Sequence, residues 1–186
     1  MKLLAWVFTL CAAVPAFAAT GMISTTVEPI VGYERVQKFT PTQHTKERLV
    51  IGARVTAGMP LISAEGEFTH ATDTEDFTSP IVQTIQETEE RARVGARSTL
   101  KLSGFVNFFV RAGGQARLVR RDTTISGVTT TVMDPIRYNP YAGAGLRITV
   151  SNNIALNADL TVTFRAFPDM TQNDYMTTAS VSVSFP

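Results

Sequence analysis

The sequence predicts an all-β fold, an eight-stranded antiparallel up-and-down transmembrane β-barrel, from three observations. Segments of period-two alternation recur along the chain, several of them longer than the roughly 9–11 residues that cross a bilayer at a tilt. Short turns and longer loops alternate between them, as in a meander. No helical periodicity or domain boundary interrupts the series, and 186 residues suit a single domain. The clearest unit is 140–167. Ala142, Ala144, Leu146, Ile148 and Val150 alternate with Tyr141, Gly143, Gly145, Arg147 and Thr149. After the turn Ser151-Asn152-Asn153, Ile154, Leu156, Ala158, Leu160, Val162 and Phe164 share one face, with Asn157, Asp159, Thr161, Thr163 and Arg165 on the other.

The N-terminus reads as a secretory signal peptide over 1–18: Lys2, an apolar run over 3–14, and the small-x-small motif Ala16-Phe17-Ala18. Cys11, the one cysteine, lies inside it, so disulfides and thiolate metal sites are excluded from the mature chain. Without Lys2 the basic and acidic side chains balance, which gives no field directed at nucleic acid. Of the seventeen basic residues only Lys2, Lys38, Lys46 and Lys101 are lysine. Arginine is favoured where a cation is partly buried and paired by two prongs.

Residues 19–29 read as a leader and 30–186 as the barrel. The first strand, 30–39, is weak, with Tyr33 and Val36 on opposite faces. Leu49, Ile51, Ala53, Val55 and Ala57 then alternate with Val50, Gly52, Arg54 and Thr56, up to the turn Gly58-Met59-Pro60. Ile62, Ala64, Gly66 and Phe68 oppose Ser63, Glu65, Glu67 and Thr69, and an acidic loop with Asp73, Glu75 and Asp76 follows. The fourth strand sets Ala92, Val94, Ala96, Ser98 and Leu100 against Glu89, Arg91, Arg93, Gly95, Arg97 and Thr99. After Ser103-Gly104, Val106, Phe108, Val110, Ala112, Ala116 and Leu118 oppose Asn107, Arg111, Gly113, Gln115 and Arg117, with Phe105 and Phe109 on the polar face. A Thr-rich loop over 122–134 leads to the 140–167 hairpin. The last strand interleaves Tyr175, Thr177, Ala179, Val181, Val183 and Phe185 with polar residues.

Alternation alone leaves the inside undecided, because a soluble eight-stranded barrel turns the same apolar positions inward. Three features favour the polar face as the lumen. Gly52, Gly95, Gly113, Gly143 and Gly145 leave room there for long arginines. The apolar face carries no charge through the strand centres but many alanines, which line a cavity thinly. The charges also find partners across tight-turned strands: Arg54 opposite or diagonal to Glu65, Glu89 to Arg117, and Arg147 diagonal to Asp159. In hydrocarbon a closed barrel satisfies every backbone group.

The chain resembles the small outer-membrane β-barrel superfamily, the type of outer membrane proteins A and X, over 30–186. The resemblance rests on the Pro-Tyr-Ala-Gly-Ala-Gly-Leu segment from Pro140 and on the closing strand from Tyr175 to Phe185. It implies that Tyr175, Val181, Val183 and Phe185 form a C-terminal signal read by the barrel-assembly machinery. Pro186 follows the aromatic where the family usually stops. The resemblance further implies the bacterial outer membrane as location and its lipids as partners.

The candidate site is a lumen cluster of Arg54, Glu65, Glu67, Glu89, Arg91, Arg93, Arg97, Arg111, Arg117, Arg147 and Asp159. Eight strands leave an interior just wide enough for side chains, so these charges are expected to be a paired structural core, with partners from Glu28 or Glu34. His44 and His70, near Asp73 and Glu75, match no metal spacing, and no serine sits in a nucleophile motif. No cofactor is expected. Phe68, Tyr138, Phe167 and Tyr175 suit a girdle at the loop side, with Phe185 at the turn side. These features predict a structural or surface-interaction role without catalysis. The alternatives are a narrow pore or small-solute-binding barrel and, third, a lipid-modifying enzyme.

Overall fold

The computed structural model describes residues 23–38, 44–59, 61–78, 82–165 and 172–185. The expected signal peptide, Phe167 and Pro186 lie outside them. Among the described residues nine strands follow in order: β1 Ser24–Lys38, β2 His44–Gly58, β3 Ile62–Phe77, β4 Gln83–Lys101, β5 Val106–Ile125, β6 Val128–Met133, β7 Arg137–Thr149, β8 Ile154–Thr163 and β9 Asp174–Phe185. Eight of them form an antiparallel ring, β1-β2-β3-β4-β5-β7-β8-β9, closed by β9 on β1. The ninth, β6, pairs among the described residues with β5 alone.

The ring forms because each strand offers an apolar and a polar face, and closure leaves no unpaired edge. Leu49, Ile51, Val94, Leu146 and Leu156 point outward and are about half exposed or more, while Arg54 and Glu28 are 0 % exposed. The apolar face is therefore outside and the charged face inside. The outward belt ends on the loop side at Tyr33, Leu49, Phe68, Ala92, Leu118 and Tyr138; the next outward residues are polar, among them Arg35, Glu47, His70, Glu90 and Arg120. On the turn side it reaches Met59, Leu61, Leu102, Phe105, Val150 and Phe185.

Three expectations are corrected. The leader assigned to 19–29 is strand from Ser24 onward, paired Val27 to Val55 and Val27 to Val183. Its pattern is obscured because Ile30 and Val36 point inward and because Pro29, lacking an N–H, interrupts the ladder to β9. The acidic loop after Thr69 is a continuation of β3 to Phe77, paired through Thr72 with Thr88 and Asp73 with Glu87. The Thr-rich loop over 122–134 is a hairpin of β5 and β6. It turns at Ser126-Gly127, with φ of 50° and 81°, the left-handed pair of a two-residue hairpin loop. Together β3, β4, β5 and β6 project past the belt as a ribboned extension on the loop side.

Phe105 does not enter the lumen; it lies in the β4–β5 turn and is 62 % exposed. Phe109 does, fully buried. A Cβ on Gly145 would come within 2.5 Å of the Phe109 ring, and one on Gly95 within 2.5 Å of the Tyr141 hydroxyl. These glycines make the space that two inward aromatic side chains fill.

Candidate functional site

Cross-strand registers set which charges meet. Arg54 lies directly opposite Glu67 and diagonal to Glu65; its guanidinium reaches Glu67 at 2.8 Å and Glu65 at 3.8 Å. It also holds Glu28, directly opposite on β1, and Asp159 across the lumen, each at 3.1 Å. Arg111 donates to Glu65 at 2.8 Å, Glu67 at 2.5 Å and Asp159 at 3.0 Å. Arg93 binds Glu67 at 2.5 Å, and Arg97 binds Glu28 at 2.8 Å while stacking 3.7 Å from the Phe109 ring centre. The Thr161 hydroxyl accepts from Arg111, and Thr178 donates to Asp159 at 2.8 Å. This lower network holds four acids, Glu28, Glu65, Glu67 and Asp159, and four arginines, Arg54, Arg93, Arg97 and Arg111.

A second network lies nearer the loop side. Arg48 binds Glu34 at 2.9 Å, Asp73 at 3.4 Å and Glu89 at 2.5 Å. Arg91 pairs with Glu34 and Glu89, and Arg117 reaches Glu89 at 2.6 Å. Three acids, Glu34, Asp73 and Glu89, face three arginines, Arg48, Arg91 and Arg117. Between the two networks sit Val50, Ala71 and Met176, all buried and in mutual contact. On their strands these three fall between Arg48 and Arg54, between Thr69 and Asp73, and between Asp174 and Thr178. Among the described residues no ion pair joins one network to the other.

The structure thus brings together Arg54, Glu65, Glu67, Arg93, Arg97, Arg111 and Asp159 in one group, and Glu89, Arg91 and Arg117 in another. Arg147 stands apart. It is diagonal to Asp159 as expected, but it donates to the Ser184 hydroxyl at 3.1 Å instead. Asp159 turns across the narrow lumen to Arg54 and Arg111. Arg48 and Asp73 were missed although strand parity marks both: Arg48 shares the parity of Arg54, and Asp73 that of Glu65 and Glu67. Tyr141, 2 % exposed, is a further inward residue, its hydroxyl donating to Glu65 at 3.4 Å.

The upper network continues past the belt to the mouth. Lys38 meets Asp73 at 2.5 Å, Glu87 at 2.9 Å and Glu75 at 3.2 Å, and Arg121 reaches Glu87 at 2.7 Å. Burial opposes charge on Lys38, Glu75 and Glu87, but the pairing outweighs it: Asp73 and Glu87 hold Lys38 above its ordinary value. Lys38 and Arg121 hold the Glu87 carboxyl below its own, and Lys38 with His44 does the same to Glu75.

The two histidines do not share a site. His44 faces inward, 3.3 Å from Glu75, whereas His70 faces outward and contacts the Thr72 hydroxyl at 3.2 Å. Among the described residues no group of three or more His, Cys, Asp or Glu side chains is arranged to hold a metal ion. Of the aromatic set, Tyr138 is 77 % exposed at the loop side of the belt and Phe185 lies at the turn side; Tyr33 and Phe105 join them at those two levels.

A closed antiparallel ring, apolar outside and filled with paired charges inside, defines a transmembrane β-barrel. The fold is that of the small eight-stranded outer-membrane barrels. Neisserial surface protein A matches with a TM-score of 0.57 at 10 % identity, over 88 % of this chain and 97 % of that one. Ail of Yersinia pestis, solved with the heparin analogue sucrose octasulfate, matches at 0.55 and 11 %, over 88 % and 98 %. The N-terminal β-barrel domain of Pseudomonas aeruginosa OprF matches at 0.53 and 13 %, over 87 % and 97 %. At these identities the likeness is one of fold. No protein-family model and no curated protein matches the sequence.

Proposed function

We propose that this chain is an integral protein of the outer membrane of a diderm bacterium, with a structural or surface-interaction role, no catalytic activity, and a lumen closed by paired charges. The observation that carries this is the pair of charge-balanced networks, four against four and three against three, separated by Val50, Ala71 and Met176. Water and ions crossing such a lumen have to break buried ion pairs and pass the apolar cluster of Val50, Ala71 and Met176, both unfavourable. Location in a membrane is supported by the exposed belt, since soluble monomers rarely expose apolar patches beyond a few hundred Å². Residues 1–18 serve export in this proposal. Tyr175, Val181, Val183 and Phe185, spaced along β9, serve recognition by the barrel-assembly machinery, and outer-membrane lipids cover the belt.

Recording in planar lipid bilayers tests the closed lumen. The wild type is expected to show no steady conductance. A large, steady conductance from Arg111→Ala with the barrel still folded overturns the closed lumen as an ionic core. Gel mobility before and after boiling tests the membrane barrel itself: the folded protein should resist detergent and migrate differently when unheated.

A further inference from the structure

The loop-side mouth holds a cavity of about 190 Å³ whose lining includes Lys38, Glu87, Arg117, Arg121, Arg137 and Arg165, with Asp134 on its wall. Five cations and two carboxylates face this space. The strand registers show why the imbalance is more than a count. Arg91 lies directly opposite Arg117 on β4 and β5, and Arg117 directly opposite Arg137 on β5 and β7. Like charges facing each other across an antiparallel pair repel.

Elsewhere in the barrel such a conflict is resolved from within. Glu89 lies between Arg91 and Arg117 and binds both. The facing pair Arg97 and Arg111 is supplied by Glu28 on one side and by Glu65, Glu67 and Asp159 on the other. In the facing pair Arg117 and Arg137, Arg117 draws on Glu89 alone, and Arg137 has no acid among the described residues. Glu89 is already shared with Arg48 and Arg91, and Glu87 is engaged by Lys38 and Arg121. Arg165 is matched to Asp174 at 2.5 Å. Among the described residues Arg137 forms neither an ion pair nor a side-chain hydrogen bond, and Asp134 forms no ion pair.

We propose that the mouth is a binding site for a tetrahedral oxyanion, a phosphate or sulfate group, held between the guanidinium groups of Arg117 and Arg137 with Lys38, Arg121 and Arg165 around it. Guanidinium forks donate two parallel hydrogen bonds to such an oxyanion, and a doubly charged group offsets the facing cations as Glu89 does one step deeper in the barrel. The cavity holds the anionic group and part of what carries it. The site shares Arg117 with the upper lumen network; oxyanion binding is read by titration and the closed lumen by conductance, so the failure of one reading is told apart from the failure of the other.

The test uses the mature chain folded in phosphatidylcholine nanodiscs, titrated with sodium phosphate and separately with sodium sulfate at constant ionic strength. Arginine Nε–H resonances and calorimetry provide the readout. Saturable binding that shifts few arginines, and that Arg137→Gln weakens by about tenfold or more, is the expected result; a decade is a modest loss for one charge-assisted contact. Arg120→Gln, on the outer face and paired with Asp122, should leave binding unchanged. A second arm places the phosphate on a lipid, with phosphatidic acid in the nanodisc and no free oxyanion. An Arg137-dependent response in that arm alone identifies a lipid-borne group, and in the first arm alone a soluble one. No saturable response in either arm, or equal binding by the wild type and Arg137→Gln, overturns the proposal. Arg137 is exposed and unpaired among the described residues, so its replacement should not impair folding.

Discussion

Arg54→Met is the sharpest probe of the lumen. The guanidinium is 0 % exposed and serves Glu28, Glu67 and Asp159 within 3.1 Å, with Glu65 at 3.8 Å. Methionine fills much of the volume but leaves four carboxylates facing three arginines in the lower network. Breaking a buried ion pair from one side costs about 3–5 kcal/mol, which is roughly two to four powers of ten in the folding equilibrium. Adding Asp159→Asn restores the balance at three against three. Arg111 retains Glu65 and Glu67, and Glu28 retains Arg97. The double variant is therefore expected to be more stable than Arg54→Met by about 1 kcal/mol or more, a coupling in the range of contacting residues. Folding into phospholipid vesicles across a urea series measures both, with the heat-sensitive gel shift reporting the folded fraction. The only tryptophan, Trp6, lies in the expected signal peptide, so its fluorescence is no probe of the mature chain. A single-variant cost below about 1 kcal/mol, or a double-variant cost equal to the sum of its parts, would show a lumen wet enough to screen its charges and refute the reasoning.

Gly145→Val places a Cβ 2.5 Å from the Phe109 ring and 2.5 Å from the Ala158 carbonyl, and should cost about 1–3 kcal/mol or more in the same vesicle assay, as overpacked cores do. Gly104→Ala, with nothing within 4 Å, should stay within about 0.5 kcal/mol of the wild type. At the mouth, Glu75 and Glu87 titrate below their ordinary 4.5 and Lys38 above its ordinary 10.5. The carboxylate contribution is present above 4.5 and is lost as pH falls through the depressed values; the lysine contribution is present below 10.5 and is lost as pH rises through the raised one. Amide exchange over 83–89, corrected for intrinsic rate, should accelerate in acid before the belt segments do. Replacing 123–130 by an Asn-Gly turn keeps Asp122 opposite Thr131 and should leave barrel stability within about 0.5 kcal/mol, because among the described residues β6 pairs with β5 alone; a larger loss in the vesicle assay would show that the ribbon supports the ring.

The barrel itself was legible wherever one face was uniformly apolar, as in Leu49 to Ala57 and Ile154 to Val162. It was obscured where inward positions are apolar too, which is why β1, with Ile30 and Val36 inside, read as weak and its start at Ser24 as leader. Outside the belt the period-two signal weakens because both faces meet water. The extended ends of β3 and β5 and the whole of β6 then carry the composition of loops. The lumen residues were legible by parity, but parity names a face and not a partner. Thus Arg147 was placed diagonal to Asp159 while the carboxylate in fact turns across the lumen.

By itself the sequence determined the alternation, the short turns between strands, and with them an eight-stranded ring whose charges share one face. These are local properties, set by side-chain period and turn chemistry. Only the tertiary structure decided that the charges divide into two balanced networks with the cluster of Val50, Ala71 and Met176 between them, and that Arg137, facing Arg117, has no acid of its own among the described residues. Ion pairs across a closed barrel join residues up to 105 positions apart in sequence, as Arg54 and Asp159 are. Which of them meet depends on strand stagger and the width of the ring, and neither is written in any one strand.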